Sequence, residues 1–97
     1  MQGNKVVNDL MGQALEGVRV IDISNFLAGP ISSMFLGDLG ADVIKVERPG
    51  TGDEIRYWGH NKDGVGLMYK LVNRNKRSVT ADLRTPLGVE IIKALIR

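Results

Sequence analysis

The alternation of hydrophobic and polar positions predicts three short β-strands, each followed by a helix. The strands are "VRVIDI" at residues 18–23, "DVIKVE" at residues 42–47 and "SVTA" at residues 78–81. All three are rich in β-branched side chains and are bounded by glycine, proline or polar residues, as strands usually are.

Helical periodicity occurs in three segments. The first segment follows the first strand, with Pro30 in its first turn and Gly40 at its C-terminal cap. The second is a short helix over residues 67–72. The third begins at Thr85, a suitable capping residue, with Pro86 at the first helical position. Their apolar positions recur at helical spacing: Ile31, Met34, Phe35 and Leu39; Leu67, Met68, Leu71 and Val72; and Ile91, Ile92, Leu95 and Ile96.

A strand, a helix and a second strand form a βαβ unit, which implies parallel strands. The predicted fold class is therefore α/β, with a parallel sheet flanked by helices. The last helix still continues at Arg97, and a three-stranded parallel sheet leaves an apolar face uncovered. We therefore expect residues 15–97 to be an incomplete N-terminal part of a larger domain, and residues 1–14 to be a loosely held arm.

Composition narrows the classes of function. The 97 residues are 43% hydrophobic and 25% charged, as in an ordinary folded chain, and the net charge is only +2. We therefore expect no nucleic-acid partner, and no apolar run long enough for a membrane span is present. The chain lacks cysteine and has a single histidine, His60, so we expect no metal site. A cytoplasmic location is compatible with this composition.

The most promising chemistry lies where the predicted parallel strands end. Their carboxyl ends share one edge of the sheet, so three loops should converge there: residues 24–30, residues 48–59 and residues 82–85. These loops contribute Arg48, Arg56 and Arg84 and two helix starts. Guanidinium groups and helix N-termini both favour anions, so the sequence predicts an anion site, most simply for phosphate.

Other interpretations of the charged residues are weaker. "NRNKRS" at residues 73–78 lacks interleaved aromatic residues, so we interpret it as a solvated turn before a strand rather than a nucleic-acid surface, with a contribution to an anionic ligand as the second interpretation. A dinucleotide site of the Rossmann type requires G-x-G-x-x-G after the first strand, where only Gly29 is present, although Glu47 would suit its acidic residue. The remaining acids show no spacing typical of an acid–base pair, and we expect solvated or capping roles for them: Asp22, Asp38, Asp42, Asp53, Glu54 and Asp63.

Three ordered strings, "LEGVRVIDISNFLAGP", "LGDLGADVIKVERPGTGDEIRYWG" and "NRNKRSVTADLRTPLG", closely resemble the N-terminal segment of the family III CoA-transferases, the CaiB/BaiF type. The resemblance implies a Rossmann-like region of an interlocked homodimer that contributes to a coenzyme A site. It also implies transfer of CoA from an acyl-CoA to a carboxylic acid through a covalent aspartyl intermediate. The nucleophilic aspartate of the family lies beyond the residues matched here, so we expect no catalytic residue in this chain and no activity from it alone.

The resemblance further implies CoA-binding residues in each of the three loops. Arg48 matches an arginine that contacts the nucleotide part of CoA, and Leu27 and Ala28 match positions near the pantetheine arm and the thioester. A third set matches the stretch that lines the adenine and the 3′-phosphate: Ala81, Asp82, Leu83 and Arg84.

Departures from the family pattern separate the branches. Formyl-CoA transferases have glutamine where this chain has Leu27, which argues against a formyl or oxalyl substrate. "FLAGP" and "PGTGDEIRYWG" favour the transferase branch over the α-methylacyl-CoA racemases. A segment of a racemase-like isomerase and a non-catalytic nucleotide-binding module remain the alternatives.

Overall fold

The structure of this protein is a computed structural model that describes residues 14–97. The predicted arm at residues 1–14 therefore lies outside the described residues, except for Ala14. The elements in chain order are β1 (Arg19–Asp22), α1 (Ala28–Asp38), β2 (Asp42–Glu47), a 3-10 helix (Glu54–Tyr57), β3 (Asn61–Lys62), β4 (Val65–Gly66), α2 (Leu67–Val72), β5 (Lys76–Thr80) and α3 (Pro86–Ile96).

Strands β1, β2 and β5 form a three-stranded parallel sheet in the order β1-β2-β5. This confirms the predicted α/β class with a parallel sheet and flanking helices. Strand β2 is central, and all of its residues except Asp42 are buried, as expected for a strand with neighbours on both sides. Two of those buried residues, Lys45 and Glu47, carry charges.

The predicted helix ends are confirmed. Gly40 has a φ of 103°, and its N–H donates to the carbonyl of Gly37, while the N–H of Ala41 donates to the carbonyl of Leu36. This pair of bonds is a Schellman motif, and it stops α1 directly before β2. At the start of α3, the side chain of Thr85 accepts a hydrogen bond from the N–H of Gly88 at 3.1 Å, and proline occupies the first turn.

The last strand of the sheet begins at Lys76, two residues earlier than predicted. The interpretation of residues 73–78 as a solvated turn is therefore wrong at this position. Lys76 is almost fully buried, with its Nζ 2.9 Å from Oδ2 of Asp22, which is buried as well. A solvated role for Asp22 is thus also wrong, because its carboxylate compensates the charge of a buried ammonium.

A two-stranded antiparallel hairpin, β3–β4, was not predicted from the sequence. Its turn residues, Asp63 and Gly64, have φ values of 54° and 78°, which is the backbone of a type I′ turn. The Asp-Gly pair is a strong hairpin pattern, but the strands it joins are only two residues long and lack alternation.

The hydrophobic core lies around β2. Its buried members are Met34, Ala41, Val43, Ile44, Val46, Ile55, Val72 and Ala81. Among the described residues, none of the helices combines the length and hydrophobicity needed to cross a membrane.

Candidate functional site

The carboxyl ends of the parallel strands surround a cavity of about 270 Å³, which we call the edge cavity. Its walls come from the loop after β1, the end of β2 and the loop between β5 and α3, as the parallel topology requires. The lining residues are Ile23, Asn25, Val46, Arg48, Ala81, Asp82, Leu83 and Arg84. Two arginines distant in sequence therefore line one cavity together with apolar side chains.

Glycines allow two helices to start close to this edge. A Cβ atom on Gly29 would collide with the side chain of Ser24, and one on Gly88 would collide with the carbonyl oxygen of Asp82. That carbonyl also accepts hydrogen bonds from the N–H and the hydroxyl of Thr85. The start of α3 is therefore pressed against the loop that carries Arg84.

Arg84 is held by its neighbour Asp82. The Nε of Arg84 lies 3.0 Å from Oδ1 of Asp82, and this oxygen also accepts the backbone N–H of Arg84. The guanidinium beside it lowers the pKa of Asp82 below its ordinary value. Because the Arg84 side chain is 87% exposed, an incoming anion can compete with Asp82 for it.

Arg48 is anchored through one nitrogen. Its Nε donates to Oγ1 of Thr51 at 3.0 Å and to the carbonyl of Gly52 at 3.1 Å. The terminal Nη2 makes only a long contact, 3.8 Å, with the exposed Glu54. Arg48 also contributes to the wall of a second cavity, of about 300 Å³, on the side of Arg56.

The prediction that Arg56 belongs to the anion site is wrong. Its Nε and Nη2 each donate to Glu47 at 2.7 Å, Nη2 also donates to the hydroxyl of Tyr69, and the guanidinium stacks 3.8 Å from the centre of that ring. Arg56 is absent from the lining of the edge cavity. Its role is to fix the loop after β2, and Glu47 is occupied by the same contacts.

Glu47 is an ionised group inside this cluster. Burial raises its pKa, but hydrogen bonds from Arg56, from the backbone N–H of Asp53 and from Tyr69 outweigh burial and lower the pKa to about 2. Burial and the hydrogen bond to Glu47 raise the pKa of Tyr69 to about 12. The cluster therefore keeps one charge pattern over the whole physiological pH range.

A fully buried ion pair, which was not predicted from the sequence, joins β2 to the loop that follows it. The Nζ of Lys45 lies 2.7 Å from Oδ2 of Asp53, and both side chains are almost completely inaccessible. Oδ1 of Asp53 accepts the backbone N–H groups of Phe26 and Ile55, at 2.9 and 3.0 Å. A solvated role for Asp53 is therefore wrong; its acceptance of the Ile55 N–H caps the 3-10 helix.

Of the seven residues that the resemblance assigned to CoA, five line the edge cavity: Arg48, Ala81, Asp82, Leu83 and Arg84. Leu27 and Ala28 lie at the start of α1 and are absent from its lining, whereas Ile23 and Asn25 from the same loop are present. Ile23 and Asn25 could not be predicted from the sequence, because neither residue type is typical of an anion site. Among residues 14–97, no group of three acidic or histidine side chains is placed to hold a metal ion.

The chain is similar in sequence to known CoA-transferases. Over 82 residues the chain is 55% identical to succinyl-CoA:glutarate CoA-transferase of Homo sapiens, an alignment covering 84% of this chain and 19% of that protein. It is 49% identical over 83 residues to succinyl-CoA–D-citramalate CoA-transferase of Chloroflexus aurantiacus, covering 84% of this chain and 21% of that protein. The chain thus spans about a fifth of the length of the curated relatives it matches.

A solved structure shows the same fold. The crystal structure of a CAIB/BAIF family protein from Brucella suis superposes with a TM-score of 0.78 at 43% identity, covering 86% of this chain and 23% of that one. The sequence pattern of CoA-transferase family III matches residues 15–97, the range of the resemblance described above. This chain belongs to CoA-transferase family III.

Proposed function

We propose that this chain supplies CoA-binding loops to a CoA-transferase, which moves CoA from an acyl-CoA thioester to a carboxylic acid. The observation that carries the proposal is the shared cavity of Arg48 and Arg84 at the carboxyl edge of a parallel sheet. CoA presents a pyrophosphate and a 3′-phosphate, and guanidinium groups bind such oxygens with charge-assisted hydrogen bonds. Family membership supports the same assignment.

The edge cavity suits the nucleotide end of CoA. Arg48 binds the nucleotide phosphates, and the backbone and side chains of residues 81–84 receive the adenine and the 3′-phosphate. Its apolar residues, Ile23, Val46 and Leu83, offer a surface for the adenine ring. About 270 Å³ lies just below the range of sites that enclose a drug-sized ligand, so the pantetheine arm extends out of it, toward Leu27 and Ala28.

The nucleophile comes from outside this chain. In the proposed reaction an aspartate carboxylate attacks the thioester carbonyl, forming an acyl–aspartyl anhydride and releasing CoA thiolate, which then attacks the aspartyl carbonyl and releases the donor acid. The acceptor carboxylate then attacks this enzyme thioester, which forms a second anhydride and again releases CoA thiolate. The thiolate finally attacks the acceptor carbonyl of that anhydride, which gives the new acyl-CoA and frees the aspartate carboxylate. Three buried acids of this chain, Asp22, Glu47 and Asp53, are each engaged by a cation, which supports an external nucleophile.

Further aspects of the proposal concern the complete enzyme. The relatives described above are named as CoA-transferases, which favours a transferase over a racemase. The acids in their names are dicarboxylic, which favours a dicarboxylic acid as the acceptor. The family resemblance supports an interlocked homodimer, and a chain without cysteine is compatible with a cytoplasmic location. Light scattering of a longer protein containing this chain measures its subunit number, and a monomer would contradict the dimer.

Titration calorimetry with CoA tests the site. We expect Arg48→Ala and Arg84→Ala each to weaken CoA binding by about 5- to 10-fold, because each removes a charge-assisted contact that solvent partly screens. The matched control is Arg74→Ala, which removes an exposed arginine paired with Asp38 and absent from the cavity lining. Unchanged CoA affinity in both cavity variants would refute the assignment. It would also be refuted if the chain without substitutions bound no CoA.

A further inference from the structure

The turn between β1 and α1 contains an unusual backbone conformation. Phe26 has a φ of 71°, in the left-handed region that residues with a Cβ atom rarely adopt. Asn25 on one side of it lines the edge cavity, and Leu27 on the other side is the N-cap position of α1. Conformations of this kind persist only where surrounding contacts impose them, and they cluster at functional sites.

The contacts that impose this turn come from β2 and the segment after it. Oδ1 of Asp53 accepts the N–H of Phe26 at 2.9 Å, and the Nζ of Lys45 donates to the carbonyl of Ser24 at 3.3 Å. The Phe26 ring also packs edge-on against Trp58, with ring centroids 5.0 Å apart. The backbone and the side chain of the turn are therefore both held by contacts from β2 and the segment that follows it.

Asp53 is the centre of this arrangement. One carboxylate oxygen binds two backbone N–H groups, those of Phe26 and Ile55, while the other faces the ammonium of Lys45. One side chain thus fixes the distance between the first loop and the 3-10 helix. A buried ion pair contributes little net stability compared with apolar residues of the same size, so its use here is better explained by orientation.

We propose that Asp53 is a positioning residue, whose carboxylate holds the left-handed turn at Phe26 and thereby sets the positions of Asn25 and Leu27 beside the edge cavity. The effect on ligand rests on the proposed CoA site, whereas the effect on the turn does not. The turn carries Asn25, in the wall of the edge cavity, and Leu27, toward which the pantetheine arm extends, whereas the two arginines that meet the nucleotide lie on other segments.

Two double variants separate the hydrogen bond from the charge. Both carry Lys45→Met, which avoids leaving an unpaired ammonium in the core. K45M/D53N keeps an oxygen that can accept the Phe26 N–H, and K45M/D53L has a side chain of similar size without an acceptor. We expect hydrogen exchange of the Phe26 amide at least about tenfold faster in K45M/D53L than in K45M/D53N.

If K45M/D53L does not fold, K45M/D53S replaces it. Serine is a good N-cap residue and retains the cap on Ile55, but its shorter side chain does not reach Phe26. Equal hydrogen-exchange rates of the Phe26 amide in the variants with and without the acceptor oxygen would overturn the proposal.

Ligand titration then separates this proposal from the CoA assignment. The probes are CoA and adenosine 3′,5′-bisphosphate, which lacks the pantetheine arm. We expect the acceptor-free variant to bind CoA about fivefold more weakly than K45M/D53N, with a smaller loss of affinity for the nucleotide, because Arg48 and Arg84 lie outside the displaced turn. An equal loss for both probes would overturn the selective role of Asp53. If the chain without substitutions bound neither probe, the proposed function would be refuted instead. The hydrogen-exchange rate of the Phe26 amide would still decide whether Asp53 holds the turn.

Discussion

Replacing Glu47 with glutamine tests the cluster of Glu47, Arg56 and Tyr69 that fixes the loop after β2. The Glu47 carboxylate accepts four hydrogen bonds: two from Arg56, one from the backbone of Asp53 and one from Tyr69, all between 2.7 and 2.8 Å. Glutamine has one acceptor oxygen, and its amide N–H groups would face donors. At least part of the network is therefore lost, and Arg56 loses its counter-charge.

The pKa of Glu47 gives the magnitude. A folded-state pKa of about 2, against an ordinary 4.5, corresponds to roughly 3–4 kcal/mol favouring the folded state at neutral pH, since a pKa difference of one is worth about 1.4 kcal/mol. The carboxylate is 4% exposed, but Arg56 is 33% exposed and keeps partial hydration. The expected loss therefore lies at the lower end of the roughly 3–5 kcal/mol for breaking a buried pair. Because the pKa is lowered, this stabilisation is present above pH 4.5 and is lost as the pH falls toward 2.

Urea denaturation followed by circular dichroism, repeated from pH 7 to pH 2.5, measures this effect. We expect Glu47→Gln to lower the free energy of unfolding by about 3 kcal/mol at pH 7, with the difference from the parent shrinking as the pH approaches 2. The control is Asp42→Asn, whose carboxylate is 41% exposed and pairs with Arg77, so the expected loss is below about 1 kcal/mol. A Glu47→Gln effect that does not change with pH would refute the reasoning.

The start of α3 gives two further predictions, both measured by thermal unfolding. Thr85→Ala should destabilise the chain by about 1 kcal/mol, because it removes the cap on Gly88, and Thr85→Ser should restore most of that loss. Gly88→Ala should destabilise by about 1–3 kcal/mol, because its Cβ would collide with the carbonyl of Asp82. Alanine normally stabilises a helix relative to glycine, so a neutral or stabilising result would contradict this close approach.

The order of the main elements was predictable because it depends on local patterns. Periodicity located β1, α1, β2 and α3, and the end of α1 and the start of α3 followed from Gly40, Thr85 and Pro86. The convergence of Arg48 and Arg84 followed from parallel topology alone, since strands that run the same way end at the same edge.

The partners of buried charges were not predictable in the same way. Lys45 and Asp53 resemble surface residues in the sequence, and only the packing of the loop onto β2 removes them from water. Arg56 resembled an anion-binding arginine until its contacts with Glu47 and Tyr69 were known. The sequence predicts Lys76 in a solvated turn, whereas its burial depends on Asp22, 54 residues away, which compensates its charge.

Arg48 stands in the walls of both cavities, of about 270 and 300 Å³. A substitution of Arg48 therefore alters the walls of both cavities at once, so that the shape of one cannot be changed through this residue without changing the other.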